Sequence, residues 1–339
     1  MHEVVAESAD AVTVSFDVPK ELAEHFGYLP GQFLTLRVPS GQTRSVARCY
    51  SLSSGPTVDA RLAVTVKRTV GGYASNWLCD NVSAGDTVAV LPPSGTFVAR
   101  DLTRDVLLCA AGSGITPIMS ITRSILHSGT GRIALLYANR DRESTIFLRR
   151  LTELAEQFPG RLMLLHWWED DKGLPAAGDI ANIVAPYADR DVYLCGPEGF
   201  MAVTRTGLQQ LGVAAHHIRC EEYRSLADNP FEAPSPVAVS PAPAAAGEHP
   251  RVTVELDGEI HELAWPKDTT LLQLLIDAGL DPPYVCRESA CGTCVCSVKT
   301  GQTRMRMNES LIDDELEMGL TLACQTLPES GQLHIAFDQ

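Results

Sequence analysis

Hydrophobic and polar positions change rhythm twice along this chain. Up to about residue 100, short β-rich runs stand between turn signals at Ala11–Val18, Phe33–Val38, Arg61–Arg68 and Thr87–Leu91. Runs of this kind predict strands with one buried face, and their spacing predicts an antiparallel β-barrel over residues 1–100. Over residues 101–228 the runs become nearly continuously apolar, at Val106–Ala110, Arg132–Ala138, Leu162–Trp167 and Asp191–Cys195, with amphipathic helical stretches between them. Buried strands alternating with helices predict an α/β domain around a parallel sheet, with a nucleotide crevice at the strand C-termini. Residues 229–249 follow neither rhythm. They are rich in Pro and Ala with few large apolar side chains, which predicts a linker that lets the domain at 250–339 move. No internal repeat is visible.

Composition narrows the class. With 339 residues and 45% hydrophobic content, the chain can build two or three globular cores. No run approaches the ~18 apolar residues of a membrane span, and no basic start leads into an apolar stretch with a cleavage site. A cytoplasmic protein is expected. The net charge of −15 argues against a nucleic-acid partner. From Glu248 onward there are 6 basic and 16 acidic residues, so the last domain carries most of the imbalance. That asymmetry serves solubility or docking on a basic partner.

Ten cysteines with no secretory signal point to metal ligation rather than cross-linking. Cys286, Cys291 and Cys294 read C-x4-C-x2-C, and 29 residues separate Cys294 from Cys324. This is the plant-type spacing for four thiolates around a [2Fe–2S] unit. Zinc ribbons usually carry two short C-x2-C pairs, and only one is present. Ser289, Ala290, Gly292 and Thr293 are small enough for the loop to wrap closely, so that backbone N–H groups reach the cluster sulfurs. Cys296, in the expected strand Val295–Lys299, reads as structural, as do Cys49, Cys79, Cys109 and Cys220.

Two motifs in the first domain and three in the second suggest nucleotides. Arg48-Cys-Tyr50-Ser51 closes a strand, and Gly71-Gly72 with Ser75 precedes a short helical stretch. Ala110-Ala-Gly112-Ser-Gly114-Ile-Thr116-Pro117 follows a strand and opens a helix, where N–H groups favour a pyrophosphate. Cys195-Gly196-Pro197 ends the fourth strand, and Glu221 and Tyr223 close the domain.

Together these motifs resemble the ferredoxin–NADP⁺ reductase superfamily, and the resemblance covers nearly the whole chain. It implies a flavin β-barrel, a nicotinamide α/β domain and an α+β β-grasp ferredoxin domain. Arg48 would pair with the flavin pyrophosphate, Tyr50 would stack on the ring, and Ser51 would hydrogen-bond near its N5. Gly72 and Ser75 would meet the flavin phosphate, while Gly112 and Gly114 would let the backbone approach a dinucleotide, with Thr116 and Pro117 beside it. Cys195, Gly196 and Pro197 would flank the nicotinamide, Glu221 would lie beside the flavin, and Tyr223 would cover the flavin ring. No acidic residue is expected at the end of the second strand to grip a ribose 2′-hydroxyl, and Arg140 or Arg142 could bind a 2′-phosphate. The resemblance nonetheless implies NADH.

The module order resembles that of oxygenase reductases, including those acting with phenylacetyl-CoA. Ala47–Ser54, Lys67–Thr69, Gly72–Asn81 and Ala111–Ile121 are similar to the reductase components of 3-ketosteroid 9α-hydroxylases. The path the resemblance implies runs from NADH through FAD and [2Fe–2S] to a separate terminal oxygenase of Rieske type, and no haem-ligand or 2-His-1-carboxylate pattern for O₂ activation is evident in this chain. The pair His216-His217 reads as surface. Two other classes fit the same parts: an iron–sulfur redox sensor without turnover, and a flavin reductase for small acceptors.

Overall fold

The computed structural model describes residues 1–223, 226, 229–231, 249–289, 291–308, 310–311 and 313–337, with the backbone alone at 313 and 314. Most of the expected linker at 229–249 lies outside these residues, as does Ala290. The chain divides into two compact units, Met1–Pro93 with Phe97–Ser225, and Ser94–Thr96 with Leu226–Gln339.

The first unit begins with strands β1 (Glu3–Ser8), β2 (Ala11–Phe16), β3 (Phe33–Ser40), β4 (Arg44–Ser51) and β5 (Leu62–Lys67), followed by helix α1 (Tyr73–Asn81). β1, β2 and β5 form one antiparallel sheet, and β3 and β4 a second. The isolated bridge Leu52–Val64 connects the end of β4 to β5, and a second bridge pairs Leu36 of β3 with Val90. Inward positions on these strands bury Val14, Leu34, Leu36 and Val64 against Leu78 of α1. The run Thr87–Leu91, expected as a strand, makes only the bridge to Leu36, with Arg37 N–H donating to Ala89 O (2.9 Å) and Leu91 N–H to Thr35 O (3.0 Å). Pro92 and Pro93 follow at once and lack the N–H groups that would extend the ladder.

The rest of this unit comprises β6 (Val106–Ala111), α2 (Ile115–Ser128), β7 (Ile133–Asn139), α3 (Leu148–Gln157), β8 (Leu162–Trp168), α4 (Glu169–Lys172), α5 (Ala177–Val184), β9 (Asp191–Cys195), α6 (Glu198–Gln210) and β10 (Ile218–Glu221). The five strands are all parallel in the order β10-β9-β6-β7-β8. Every residue of β6 and β7 is buried, as a sheet covered on both faces requires. The chain runs outward from β6 through β7 to β8, then returns to β9 and β10 on the other side. The β6/β9 boundary is therefore the switch point where a parallel sheet opens a crevice. The short strand β10 was not anticipated, because Arg219 and Cys220 leave it no apolar run.

Helix α2 buries eleven of its fourteen residues because protein lies on more than its sheet side. Ser120 Oγ donates to Ser54 O (2.6 Å), and the Arg123 guanidinium reaches both carboxylate oxygens of Asp59 (3.0 and 2.6 Å). Ala11 and Phe97 join the core of Ile118, Ile121 and Tyr193, so the barrel and the parallel sheet share one apolar cluster. Each fully buried Ile or Leu there contributes ~1.5–3 kcal/mol.

The second unit contains β11 (Arg251–Leu256), β12 (Glu259–Ala264), α7 (Leu271–Asp277), β13 (Val295–Thr300), β14 (Thr303–Met305), α8 (Asp313–Glu317), β15 (Leu320–Leu322), β16 (Thr326–Pro328) and β17 (Gln332–Ala336). Its main sheet has the order β12-β11-β17-β13-β15, with only β11 and β17 parallel, and β14 pairs with β16. α7 is capped by Thr270 and buries Leu271, Leu272, Leu274 and Leu275 in one core with Val252, Val254, Trp265 and Ile335. A mixed sheet packed against α7 is the β-grasp arrangement. Among the described residues, no helix is long and apolar enough to cross a membrane.

Candidate functional site

In the first unit, the register of β4 against β3 sets the barrel's candidates at one strand end. Arg48, Tyr50 and Ser51 stand opposite Leu36, Leu34 and Phe33. Ser51 is buried, while Arg48 and Tyr50 are half-buried. Burial pushes the Tyr50 hydroxyl well above its ordinary pKa. Arg48 also donates to the neighbouring Ala47 O (2.7 Å).

Gly71 adopts φ +71° immediately before Gly72 begins α1. A Cβ on Gly72 would approach Thr69 Cβ and Ser75 Oγ to 2.9 Å, so this turn closes only around a glycine. No side chain caps α1, which leaves backbone N–H groups of its first turn available to an anion. Ser75 Oγ accepts from Thr69 N–H (3.2 Å), holding the turn with its lone pair and keeping its own proton to donate. A phosphate fits this donor set.

Across the switch point, the turn Gly112–Gly114 follows β6 and carries φ +52° at Gly112. Gly114 has a different reason to be glycine from the one expected. A Cβ there would lie 2.2 Å from Cys195 O and 2.7 Å from Gly196 N, so its bare Cα lets α2 close on the end of β9. Gly196 is similarly confined, with Ala111 Cβ at 3.1 Å from a built Cβ. Thr116 and Pro117 are buried in the first turn of α2, and Pro197 is exposed beyond β9.

These elements meet at the hydroxyl of Tyr223. It receives the Ser51 hydroxyl at 3.4 Å, pairs with Thr116 Oγ1 at 2.8 Å and donates to Ser113 O at 3.2 Å. The Cys195 thiol lies within electrostatic reach of it as well. Although 46% of Tyr223 is exposed, its hydroxyl end is enclosed by these groups. Burial holds the Cys195 thiol protonated, as does the nearby Glu221 carboxyl. β10 pairs Glu221 with Cys195, and enclosure of the carboxyl end of this half-buried residue pushes its pKa up to about 8. The structure thus brings Ser51, Thr116, Cys195, Glu221 and Tyr223 together from four chain segments.

Lys67 and Asp10 had no assigned role in the sequence reading. Lys67 Nζ stands 4.0 Å from the position of a Cβ on Gly112, and 3.6 Å from Asp10 Oδ2. The expectation that no acidic residue sits at the end of β7 is corrected: Asp141 lies 3.1 Å and Asp10 4.0 Å from Arg140. Asp10 arrives from the β1–β2 turn, a placement that sequence distance concealed. Arg142 is stacked 3.8 Å over the Trp168 ring.

In the second unit, the four expected ligands are each at most 5% exposed. The loop between them takes positive φ at Arg287, Ser289 and Gly292. This curvature turns Glu288 N–H toward Cys286 Sγ (3.3 Å) and Thr293 N–H toward Cys291 Sγ (3.5 Å). Gln325 Nε2 reaches Cys324 Sγ at 3.6 Å and also Arg287 O at 2.8 Å. The thiols lie in two interacting pairs, Cys286 with Cys291 and Cys294 with Cys324. Among the described residues, no three His, Cys, Asp or Glu side chains surround one point as a single ion would require. Two thiol pairs suit two iron atoms, and the buried Ser289 hydroxyl beside them has no partner among the described residues. Cys296 instead lies in the β13 core with its thiol toward Thr321 O (3.8 Å).

A hydroxyl-lined switch-point crevice beside a phosphate-ready barrel turn, with a buried thiol quartet in a β-grasp unit, defines a flavin- and nicotinamide-dependent iron–sulfur reductase. Family models agree: an oxidoreductase FAD-binding domain matches residues 1–98, an oxidoreductase NAD-binding domain 108–206 and a 2Fe-2S iron-sulfur cluster binding domain 254–329. Its cofactors are FAD, NADH and [2Fe–2S]. The chain belongs to the ferredoxin reductase components of multicomponent monooxygenases. It is 48% identical to the 3-ketosteroid-9-alpha-monooxygenase ferredoxin reductase component of Mycolicibacterium smegmatis, over 99% of this chain and 96% of that one. It is 31% identical to a component of the Escherichia coli 1,2-phenylacetyl-CoA epoxidase, over 99% of this chain and 96% of that one. The crystal structure of phthalate dioxygenase reductase, described as a modular structure for electron transfer from pyridine nucleotides to [2Fe–2S], matches with a TM-score of 0.56 at 25% identity, covering 98% and 95% of the two chains.

Proposed function

We propose that this chain supplies electrons from NADH to the terminal oxygenase of a cytoplasmic 3-ketosteroid 9α-monooxygenase. The observation that supports the reading is the convergence of barrel and sheet residues on Tyr223, where a flavin edge and a nicotinamide face would meet. When bound, FAD would supply the conversion between a two-electron hydride and single electrons, and the cluster would supply one-electron transfer.

The chain's own residues bind and orient. Arg48 and the Gly72–Ser75 turn hold the flavin pyrophosphate, Tyr50 lies against its ring, and Ser51 offers a hydroxyl proton near N5. Gly112, Gly114 and Thr116 receive the dinucleotide at the N-terminus of α2, with Pro117 setting the first helical turn. Cys195, Gly196 and Pro197 line the nicotinamide face, beside Glu221. Tyr223 covers the flavin until nicotinamide replaces it, a displacement that breaks hydrogen bonds no shorter than 2.8 Å. Cys286, Cys291, Cys294 and Cys324 ligate the cluster. The working modules are residues 1–100, 101–228 and 250–339, with 229–249 as the connection.

The test is 3-ketosteroid hydroxylation by the purified holoprotein, NADH and the matching oxygenase, compared with C291S. Loss of hydroxylation and of cytochrome c reduction in C291S, with ferricyanide reduction retained, is the expected pattern. A C291S protein that supports hydroxylation at the wild-type rate would overturn the proposal, as would a wild-type protein inert toward NADH.

A further inference from the structure

The end of β7 poses an electrostatic contradiction. In a parallel dinucleotide-binding sheet, the second strand ends beside the adenosine ribose, where a carboxylate accepts the 2′-hydroxyl of NADH and an arginine receives the 2′-phosphate of NADPH. β7 ends at Asn139, and Arg140 follows it, yet the cofactor is NADH.

The carboxylates around Arg140 resolve this. Asp141 Oδ2 pairs with Arg140 Nε at 3.1 Å, while Asp141 Oδ1 accepts Ser144 N–H at 2.7 Å. Those bonds hold the Asp141 carboxyl down at about 2, so it stays ionised. Asp10 Oδ2 lies 4.0 Å from Arg140 Nη2 and 3.6 Å from Lys67 Nζ. Its other oxygen accepts the Ser8 hydroxyl at 2.8 Å, and its carbonyl accepts Arg68 N–H at 2.7 Å, which ties the β1–β2 turn to the end of β5. The barrel thus delivers a carboxylate to the ribose corner of the other module, held between a guanidinium at the strand end and an ammonium over the glycine turn. Arg142, the other arginine available to a phosphate, sits over the Trp168 ring at 3.8 Å.

We propose that Asp10 is a specificity-determining residue, admitting the ribose 2′-hydroxyl of NADH and opposing a 2′-phosphate by keeping Arg140 engaged. This rests on NADH binding at the switch point. A doubly charged phosphate at this corner faces two carboxylates and an arginine already partnered on two edges, and juxtaposed like charges are strongly unfavourable.

The experiment compares the wild-type holoprotein with D10N, D10E and D10N/R140A. In D10N the ratio of kcat/KM for NADPH to that for NADH rises at least about tenfold. D10E keeps the charge and the low ratio, and D10N/R140A loses the gain because the liberated arginine is its source. Independently of turnover, calorimetry should show adenosine 2′,5′-bisphosphate gaining affinity relative to 5′-AMP in D10N. D10S provides a second uncharged residue at this turn should D10N fold poorly. An unchanged ratio in the uncharged variants, or an equal rise in D10E, refutes the assignment. A wild-type protein that oxidises neither nucleotide would sink the underlying reading instead.

Discussion

The sharpest consequence of the switch-point geometry is the effect of one methyl group at Gly114. In G114A the new Cβ would lie 2.2 Å from Cys195 O, 2.5 Å from Cys195 C and 2.7 Å from Gly196 N, where ordinary contact begins at 3.4 Å. All three are backbone atoms at the end of β9, which is hydrogen-bonded on both sides, to β6 and β10. Since no side chain can rotate away, α2 and β9 must separate by at least about 1 Å, at an overpacking cost of ~1–3 kcal/mol. Thr116 and Cys195, on opposite sides of the gap, move apart with them. A misplacement of about 1 Å can slow a reaction between positioned partners by ~10²-fold. Anaerobic stopped-flow mixing with NADH should therefore show flavin reduction in G114A slowed about a hundredfold. The electron paramagnetic resonance signal of the dithionite-reduced cluster should persist, because its ligands belong to the other unit. Flavin reduction within about threefold of wild type would refute the reasoning, since it would mean the strand end yields at no cost to the geometry.

Two further outcomes test the surrounding framework. R123A removes the two-point contact with Asp59 that fastens α2 to the barrel, and should destabilise the first unit by ~1–3 kcal/mol, read as earlier flavin release in urea; a midpoint equal to wild type would contradict this. Glu221 has a folded pKa of about 8 against the usual 4.5, so the folded chain keeps a proton that the unfolded chain has released between those values. Its stabilisation is full below pH 4.5, falls as pH rises and is gone above about 8, with a slope of up to ~1.4 kcal/mol per pH unit. E221Q should flatten that part of the urea-midpoint profile, and an unaltered profile would refute a buried acid there.

Much of this protein was legible before folding was considered, because its strongest signals are local. The C-x4-C-x2-C spacing, the R-x-Y-S strand end and the glycine turn after an apolar strand each constrain a few consecutive residues, and backbone sterics and thiolate geometry act at that range. The parallel sheet was legible too, since strands buried on both faces need uninterrupted apolar runs, as β6 and β7 show.

What escaped were features decided by pairing between distant segments. β10 exists because β9 offers it an edge, and that pairing puts Glu221 beside Cys195. Thr87–Leu91 has a strand's alternation but finds only one partner position before two prolines end it. The reason for glycine at 114 lies in a backbone 81 residues away, and the carboxylate of Asp10 reaches an arginine 130 residues later. The sequence by itself determined the module order, because each module announces itself in short motifs, and it nominated the four cluster thiols by their spacing, while the cofactors came with the resemblance those motifs carry. Only the tertiary structure decided which residues share a site, because contact between segments far apart in the chain depends on how the strands pair and the helices pack.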